Sequence, residues 1–435
     1  MATRKKSKSA RRAVVVSGVR TPFVKAFSQY TKMDAIDLGV AAVRGLLNRT
    51  ELPWGELDSI VWGGVILPSG APNVGRELAL DIGLPASVEA MTITRACATG
   101  LQAVTLAAAA IERGEADVII AGGGDSTSNA EVKLPQKIVH ALAPLMLGGK
   151  GVTPADVLGV LSQLTPITDI LPKRPQIAER STGQLMGEAA EDMARRNGIT
   201  REAQDAFAVR SHHRAAAAIA SGRFDTEIVP VDTEHGRVHH DTLVRADTSV
   251  EKLERLRPVF AKDGTLTAGN SSPLTDGAAA VLLMSEEKAK ALGYTPLAAF
   301  RSWSYVGVDP ADQLLMGPAI AMPKALVRAG MQLADIELVD MHEAFAAQVL
   351  SVQKMLASES FAKLRLGRDE AFGEFNPETF NVHGGSVSLG HPFGATGARM
   401  VTTVANELHQ SGKATALLGI CAAGGLGAGA VLERV

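Results

Sequence analysis

The sequence predicts an α/β protein built from two similar halves, and three observations indicate this class. Strand-like apolar segments alternate with helical ones and end at glycine-rich turns. Aromatic residues make up only 4% of the chain, which also contains 43 glycines, and this composition suits closely packed α/β layers better than a β-sandwich. The third observation is an internal repeat, because segments 46–60 and 325–339 match at a constant offset of 279 positions. We therefore predict two βαβ-type halves, each with a mixed five-stranded sheet, packed in layers.

Three strands of the first half can be located before the insertion that begins at residue 131, with a helix between the last two, and a fourth apolar strand follows that insertion over 281–284. The last two strands before the insertion are apolar runs that end at glycines, Gly63-Gly64 and Gly122-Gly123-Gly124. The helix is rich in alanine and ends before Gly114, which is typical of a helix C-terminus. These first three strands span 13–18, 57–62 and 118–121, and the helix spans 100–113.

The second half repeats this order of elements. Ala395-Thr396-Gly397 begins a helix that ends near Gly412, just as Ala98-Thr99-Gly100 begins the helix of the first half. Apolar strands are predicted over 338–340 and 416–420, and a glycine-rich turn follows the second of them. Agreement in both residues and order favours duplication of one α/β unit over chance similarity.

Between the halves the pattern changes, and we predict an inserted loop domain that covers the active site. Residues 132–176 mix prolines and glycines with short apolar helices such as 155–164. A helix over 188–197 follows, and Thr200 caps a longer helix that runs through Ala220. The predicted parts of the chain are a disordered basic tail 1–12, an N-terminal half 13–130 and 256–292, the loop domain 131–255, and a C-terminal half 293–435.

Charge and composition exclude several classes of function. The formal net charge is −2, so no overall field attracts the protein to nucleic acid, and only the basic tail offers a contact for an anionic surface. The tail lacks the apolar core of a secretory signal, and no segment approaches the length of a membrane span. Two cysteines far apart in sequence favour a reducing compartment, which is the cytoplasm if the source is a bacterium.

Both cysteines lie in junctions of small residues that can present a reactive atom. Cys97 comes just before the alanine-rich helix, where a helix N-terminus lowers a thiol pKa and supplies free N–H donors. Cys421 follows the strand over 416–420 and precedes Ala422-Ala423-Gly424-Gly425. An isolated cysteine is more often a small buried apolar residue, but the surrounding glycines and a histidine motif favour catalysis here.

Two histidines have the surroundings of catalytic groups. His391 lies between Gly390 and Pro392, which fix the backbone of an imidazole that must meet a nucleophile. His342 ends the strand over 338–340, where a satisfied structural histidine is the more common interpretation. The remaining histidines are explained by surface positions, and no spacing predicts a metal site.

Taken together, these residues resemble those of the thiolase family. The Gly390-His391-Pro392 box with two cysteines at the proper places is the most specific signal, and His342-Glu343-Ala344-Phe345 is the sharper subfamily clue. Many thiolases carry Asn where this chain has His342, and the His form is similar to the thiolase subunit of trifunctional fatty-acid oxidation complexes. The matching segments are 17–23, 94–100, 122–128, 186–194, 200–215, 265–280, 342–346, 381–399 and 421–429.

The resemblance implies an α/β/α/β/α layered fold and a reaction with a covalent intermediate. His391 takes the proton of Cys97, and the thiolate attacks the 3-keto carbon of a 3-ketoacyl-CoA. Carbon–carbon cleavage leaves an acyl group on Cys97 and an acetyl-CoA enolate, which Cys421 protonates. A second CoA, deprotonated by Cys421, then releases the shortened acyl-CoA. Coenzyme A is therefore a substrate, with no permanently bound cofactor and no metal.

The resemblance also implies binding residues. One oxyanion pocket uses the backbone N–H groups of Cys97 and Ala423, and the other uses the His391 ring with a water held by His342. Ser272 matches the position that contacts pantetheine, and apolar residues near it line the substrate site. That apolar set, in which Leu185 favours longer acyl chains, is Leu185, Met186 and Phe345.

Three other functions and several partners remain open at this stage. An acetoacetyl-CoA thiolase working toward condensation would use the same residues, whereas a non-catalytic acyl-CoA carrier would not need Cys97, His391 and Cys421 together. A ketosynthase uses one cysteine with two histidines, so Cys421 argues against it.

The resemblance implies a homodimer or a dimer of dimers and an α-subunit with hydratase and dehydrogenase activities. The apolar segment 134–176 either covers the acyl pocket or contacts that partner or a membrane surface.

Overall fold

The computed structural model describes residues 11–132, 134–147, 153–163 and 178–435. These residues fall into two compact units, one of which is residues 130–178. That smaller unit contains two helices, Gln136–Leu147 and Pro154–Gln163, which contact each other. The larger unit contains all the strands and the remaining helices.

Ten strands of the larger unit form one mixed sheet, and two more form a separate hairpin. The main sheet has the order β10-β11-β12-β9-β1-β8-β5-β3-β4, with β2 paired to β8, and the hairpin is β6-β7. The strands are β1 (Ala13–Arg20), β2 (Val24–Lys25), β3 (Ser59–Gly63), β4 (Glu89–Ile93), β5 (Val118–Asp125), β6 (Val231–Thr233), β7 (Gly236–Val238), β8 (Thr275–Ser285), β9 (Ala298–Gly307), β10 (Leu338–Met341), β11 (Thr415–Ala422) and β12 (Leu426–Arg434).

The helices begin and end at the signals that the sequence carries. Asp34 and Thr200 accept hydrogen bonds from the first turn of the helices that follow them, and glycines with positive φ end several others. The α-helices are α1 (Ala35–Thr50), α2 (Val74–Ile82), α3 (Thr99–Glu112), α4 (Gln136–Leu147), α5 (Pro154–Gln163), α6 (Met186–Asn197), α7 (Arg201–Ala220), α8 (Val250–Glu254), α9 (Glu286–Ala291), α10 (Pro310–Gln313), α11 (Pro318–Ala329), α12 (Ala346–Leu356), α13 (Glu359–Phe361), α14 (Ser386–Leu389) and α15 (Gly394–Ser411).

The strand order confirms the predicted duplication. In the first half it is β4-β3-β5-β8-β1, and β10-β11-β12-β9 repeats the last four positions in the second half. In both halves the strand that follows the central helix, β5 or β11, pairs in parallel with its outer neighbour, β3 or β10, and antiparallel with its inner neighbour, β8 or β12. The predicted fifth strand of the second half is reduced to a single parallel bridge between Val339 and Phe380. A 3₁₀ turn over Pro377–Thr379 and a positive φ of 47° at Asn381 leave only Phe380 extended.

The two halves are layered around a central pair of helices, as predicted. Strands β1 and β9 join the halves, with Val14 opposite Ala299 and Val15 opposite Ala298. Helices α3 and α15 pack on each other, and their apolar residues form one buried cluster with the inward-facing residues of both halves of the sheet. Outer helices α1 and α2 cover one half, and α11 and α12 cover the other. This arrangement gives five layers, with helices α3 and α15 in the middle.

Two predicted boundaries differ from the structure. Arg11 and Arg12, assigned to the disordered tail, are ion-paired with Asp117 and Glu433, since each reaches a carboxylate at the end of a nearby element. The tail residues before Arg11 lie outside the described residues. The predicted loop domain 131–255 also extends beyond the compact unit 130–178, because residues 179–255 belong to the larger unit.

Candidate active site

Cys97 and His391 each come just before the N-terminus of a central helix, Cys97 two residues before α3 and His391 three residues before α15. The helices meet at their N-termini because glycine occupies the contact. A Cβ added at Gly100 would lie 2.4 Å from the carbonyl oxygen of Gly394, and one at Gly397 would lie 2.1 Å from the backbone nitrogen of Leu101. No larger residue fits at either glycine, so the duplicated Ala-Thr-Gly segment brings the thiol and the imidazole together.

The second cysteine ends a strand of the same sheet. Cys421 is the penultimate residue of β11, and a three-residue turn over 423–425 connects that strand to β12. Gly424 and Gly425 have φ values of 83° and 64°, a conformation that favours glycine. The turn is held on one side by Val308, whose N–H donates to the carbonyl of Gly425 at 2.6 Å.

Both imidazoles are buried and held through one ring nitrogen. Nδ1 of His391 lies 2.6 Å from Oγ1 of Thr396, and Nδ1 of His342 lies 2.9 Å from Oγ of Ser386. The Nε2 atom of each histidine is buried and has no hydrogen-bond partner. Two oriented imidazoles therefore present free nitrogens inside the protein.

These free groups converge on Cys97. The sulfur of Cys97 and one ring nitrogen from each of His342 and His391 all lie within 4.8 Å of one another. The two imidazole rings are 4.2 Å apart between centroids and tilted by 45°. A thiol and two imidazoles are ligands that Zn²⁺ accepts, and the same three atoms can equally exchange a proton. Sequence spacing could not reveal this cluster, because its members come from three distant segments.

The cluster is electrostatically neutral at rest. Burial raises the pKa of Cys97 to about 12, although hydrogen bonds from the backbone N–H groups of Ala423 and Cys97 lower it in part. Burial, together with the charge of Arg399, lowers the pKa of His391 to about 3. Burial also places the pKa of His342 well below its usual range, and His391 and Arg399 add to the effect. An uncharged thiol therefore faces two uncharged imidazoles.

Cys421 shares this environment. Burial, with a contribution from the nearby Cys97, holds the pKa of Cys421 well above its ordinary value. Its side chain belongs to the apolar cluster that also contains Met341 and Phe345. The structure thus brings all four predicted catalytic residues into one region, at the junction of the two halves.

Ser272, one of the predicted substrate residues, lies in the segment over 271–274 that bridges to both histidine-bearing loops. The bridge between Ser271 and Phe345 and the bridge between Leu274 and His391 place Ser272 between the two histidine-bearing loops. The N–H of Ser272 donates to the carbonyl of Ala344 at 3.0 Å.

Two more predicted substrate residues precede or begin α6. Met186 is half-buried and packs against the apolar cluster of Phe345 and Cys421. Leu185 lies just before that helix, and its N–H donates to the carboxylate of Glu188 at 2.8 Å. Phe345 in turn packs edge to face on Phe260, with centroids 5.8 Å apart.

Sequence reasoning missed the groups that hold the histidines. Glu343 is buried and accepts hydrogen bonds from Ser211 Oγ at 2.7 Å, Asn381 Nδ2 at 2.7 Å and Val387 N–H at 3.2 Å. These contacts fix the loop that carries Ser386, the partner of His342. The acid directly after His342 was the available signal, since a buried carboxylate needs several donors.

Comparison with known proteins assigns this fold and site to a class. The family description "Thiolase, N-terminal domain" matches residues 13–287, and "Thiolase, C-terminal domain" matches residues 294–434. The chain therefore belongs to the thiolase family and is an acyltransferase.

Individual relatives of high sequence similarity include several proteins that share one name, 3-ketoacyl-CoA thiolase. A 3-ketoacyl-CoA thiolase of Shewanella amazonensis is 45% identical over 97% of both chains. One of Aliivibrio fischeri is 46% identical over 97% of this chain and 95% of its own.

Solved structures with the same fold include two differently named enzymes. An acetyl-CoA acetyltransferase of Bacillus anthracis is 33% identical, with a TM-score of 0.83 over 99% of this chain and 100% of its own. Human mitochondrial 3-ketoacyl-CoA thiolase in complex with CoA is 30% identical, with a TM-score of 0.81 over 98% of both chains. Within the described part of this chain, no helix is long and apolar enough to cross a membrane.

Proposed function

We propose that this protein is a 3-ketoacyl-CoA thiolase, which transfers the shortened acyl group of a 3-ketoacyl-CoA to coenzyme A through a thioester on Cys97. The observation that carries the proposal is the convergence of the Cys97 thiol with two buried imidazoles whose Nε2 atoms are free. The names of relatives that are about 45% identical over nearly the whole chain support the same substrate class.

His391 is the proposed base for Cys97. Thr396 Oγ1 holds Nδ1 of His391, and a proton on Nδ1 shared with this hydroxyl leaves Nε2 as the acceptor. A thiol with a raised pKa and an imidazole with a lowered one exchange their proton unfavourably at rest. The transfer therefore accompanies attack on the carbonyl, where the negative charge passes from sulfur to the substrate oxygen.

The oxyanion is assigned to two sets of donors. Hydrogen bonds from the backbone N–H groups of Ala423 and Cys97 lower the pKa of the Cys97 thiol, and these two donors are assigned to the carbonyl oxygen of a thioester on that sulfur. The second set is His391, whose Nε2 can donate once it has taken the proton of Cys97, with a water held by His342. Donors fixed before the reaction stabilise charge without reorganisation, and loss of one typically costs about 3 kcal/mol of transition-state stabilisation.

Cys421 is the proposed acid at carbon and the proposed base for the incoming CoA. Its raised pKa keeps the proton on sulfur until an enolate forms beside it. After that transfer the Cys421 thiolate is a strong base, because the surrounding apolar residues stabilise its protonated form. It can then remove the proton from the thiol of CoA, which completes the cycle.

Substrate binding is assigned to the groups around this centre. Ser272, between the two histidine loops, is proposed to contact the pantetheine arm of CoA. Leu185, Met186 and Phe345 are proposed to line the acyl chain, since Met186 and Phe345 share an apolar cluster with Cys421.

A cleavage assay tests this function. Purified protein is mixed with CoA and 3-ketoacyl-CoAs from acetoacetyl-CoA to 3-ketohexadecanoyl-CoA, and loss of the 3-keto enolate absorbance is followed. We expect CoA-dependent cleavage of the longer substrates and none for Cys97→Ala. Turnover of acetoacetyl-CoA alone would instead support an acetoacetyl-CoA thiolase, the candidate favoured by the likeness to the Bacillus anthracis acetyl-CoA acetyltransferase.

A homodimer is the proposed minimal assembly. Strand β4 ends the main sheet and pairs only with β3 among the described strands, which leaves one of its edges without a strand partner. Met91 on this strand is 42% exposed, and an open edge of this kind is a ready surface for a second chain. Sedimentation velocity measures the assembly, and a monomer at micromolar concentration would contradict this proposal.

An α-subunit with hydratase and dehydrogenase activities is the proposed further partner, with part of segment 134–176 at the contact. Helices α4 and α5 expose Val139, Val157 and Leu158, of which Leu158 is 72% exposed. Residues 148–152 and 164–176 of this segment lie outside the described residues. Deletion of 139–164 followed by co-purification from the native cell tests the contact. If activity is lost while every association remains, the segment is only a cover of the acyl pocket.

A further inference from the structure

The turn that carries the Ala423 N–H is held by a carboxylate from a distant part of the chain. Oε2 of Glu179 accepts the N–H of Gly424 at 2.9 Å. Glu179 is 9% exposed and comes from the segment that precedes α6, far from β11 in sequence. Because Gly424 directly follows Ala423, this hydrogen bond fixes the peptide plane between them.

Glu179 is itself held rigidly. Its Oε1 accepts both the N–H of Ser181 at 3.1 Å and the Oγ–H of Ser181 at 2.7 Å. Its own backbone N–H donates to the carbonyl of Gln184 at 2.8 Å, and its carbonyl accepts from Gly183 at 2.8 Å. The contacts with Ser181 lower the pKa of Glu179, so the carboxylate remains charged at neutral pH.

The orientation of the Ala423 N–H depends on this anchor. A turn with two consecutive positive-φ glycines has few steric restraints of its own, because glycine populates many conformations. On one side Val308 holds the carbonyl of Gly425, and on the other Glu179 holds the N–H of Gly424. Ala423 lies in the same turn as both anchored peptides, and a hydrogen bond from its N–H lowers the pKa of the Cys97 thiol.

We propose that Glu179 is a positioning residue of this enzyme, which aligns the Ala423 N–H with the oxyanion through its hydrogen bond to Gly424. This proposal rests on the proposed thiolase function. The carboxylate does not touch the reacting atoms. A charge-assisted bond to one peptide restricts its neighbour, and small losses of alignment in a preorganised donor lower the rate.

Two variants with a matched control test this role. Glu179→Ala removes the acceptor, and Glu179→Gln keeps an acceptor oxygen toward Gly424 without the charge. The control is Asp58→Ala, which removes a carboxylate that accepts the N–H groups of Asp117 at 2.7 Å and Val118 at 2.9 Å, away from the active-site turn. Steady-state thiolysis is measured for each, together with the pH dependence of Cys97 alkylation by iodoacetamide.

We expect Glu179→Ala to lower kcat by roughly tenfold or more, with the KM for CoA changed by less than about twofold. Its alkylation profile should move to higher pH, because the Ala423 N–H no longer stabilises the Cys97 thiolate. Glu179→Gln should restore part of both properties, because it keeps one acceptor oxygen toward Gly424 while its NH2 group replaces the oxygen that accepts from Ser181, and Asp58→Ala should change neither. Rates are expressed per folded protein, measured by circular dichroism on the fraction that elutes like the wild type in size-exclusion chromatography, so that loss of folded protein is not counted as loss of catalysis.

Three results would overturn the proposal. The first is an unchanged kcat and alkylation profile in Glu179→Ala. The second is a Glu179→Gln variant as impaired as Glu179→Ala. The third is a loss of kcat that disappears when rates are expressed per folded protein. The alkylation measurement needs no substrate. Failure of the wild-type protein to cleave any 3-ketoacyl-CoA would therefore refute the proposed function and leave the test of Glu179 intact.

Discussion

At the scale of single residues, the proposed catalysis depends on two histidines that burial keeps neutral. His391 and His342 have lowered pKa values mainly because burial disfavours their charged forms, and the Arg399 guanidinium adds to this. Arg399 lies on α15 and is paired with Asp340 at 3.3 Å, two positions before His342. One buried ion pair thus stands behind both imidazoles and favours their role as proton acceptors.

This neutrality predicts a dependence of folding stability on pH. The pKa of His391 is about 3 in the folded protein and about 6.5 in an unfolded chain, so between these values the unfolded state binds the extra proton. The contribution of neutral His391 to the free energy of unfolding is complete above about pH 6.5, and it is lost as the pH falls. The buried carboxyl of Asp125 acts in the opposite direction, because burial raises its pKa to about 7.

Comparison of His391→Asn with the wild type isolates the contribution of His391 to the pH dependence of stability. From about pH 6.5 to 4.5, the free energy of unfolding of the wild type should fall more steeply than that of His391→Asn, by on the order of 1 kcal/mol per pH unit. Urea denaturation at several pH values measures both slopes. Parallel slopes would show that His391 titrates equally in the folded and unfolded states.

At the scale of elements, the central helices can meet only because glycine occupies their contact. We predict that Gly100→Ala lowers the free energy of unfolding by about 2 kcal/mol or more and reduces kcat, since the new methyl group would collide with the backbone of Gly394. Gly55→Ala is the control, because no atom lies within 4 Å of the Cβ it adds. Its effect should stay within about 0.5 kcal/mol in thermal and urea unfolding. Equal effects of the two substitutions would contradict close packing of the helices.

A second element-scale prediction concerns the segment after the β6-β7 hairpin. Arg20 of β1 is fully buried and pairs through two hydrogen bonds with Asp241, at 2.6 Å and 2.8 Å, while Phe23 N–H donates to the same carboxylate. Asp241→Ala should cost about 3–5 kcal/mol of unfolding free energy, because it leaves the guanidinium charge buried without a partner.

The double variant Arg20→Met with Asp241→Ala checks the cause of that cost. Removal of both charges should recover part of the lost stability in the same denaturation assay. A double variant less stable than Asp241→Ala alone would show that packing of Arg20 on Phe23 and Phe224 contributes more than the charge does.

Most elements could be predicted from the sequence, and the exceptions have physical reasons. The glycine-terminated strands and the duplicated Ala-Thr-Gly helix starts were local patterns, so β5, α3 and α15 were found within a few residues of their bounds. The fifth strand predicted for the second half is only a single bridge at Phe380, because a 3₁₀ turn before it and a positive φ after it prevent a longer extended segment. Glu179 and Glu343 were missed because their partners lie far away in sequence, where no spacing signals the contact.

At the scale of the whole molecule, duplication creates the active site. The first half contributes Cys97 at the start of α3, and the second contributes His391 at the start of α15 and Cys421 at the end of β11. The two helix starts carry different groups, which the proposed function uses as nucleophile and base. The site is incomplete in either half, which explains why the halves share one sheet and one central pair of helices.

The central claim is that Cys97 carries the acyl group while Cys421 moves the proton at carbon. The most direct measurement is mass spectrometry of peptides from wild-type and Cys421→Ala protein, each incubated with an acyl-CoA and quenched in acid. We predict an acyl adduct on the peptide that contains Cys97 in both proteins, and no exchange of α-protons of acetyl-CoA with deuterated solvent in Cys421→Ala. An adduct on Cys421 of the wild type, or undiminished exchange in the variant, would contradict the account.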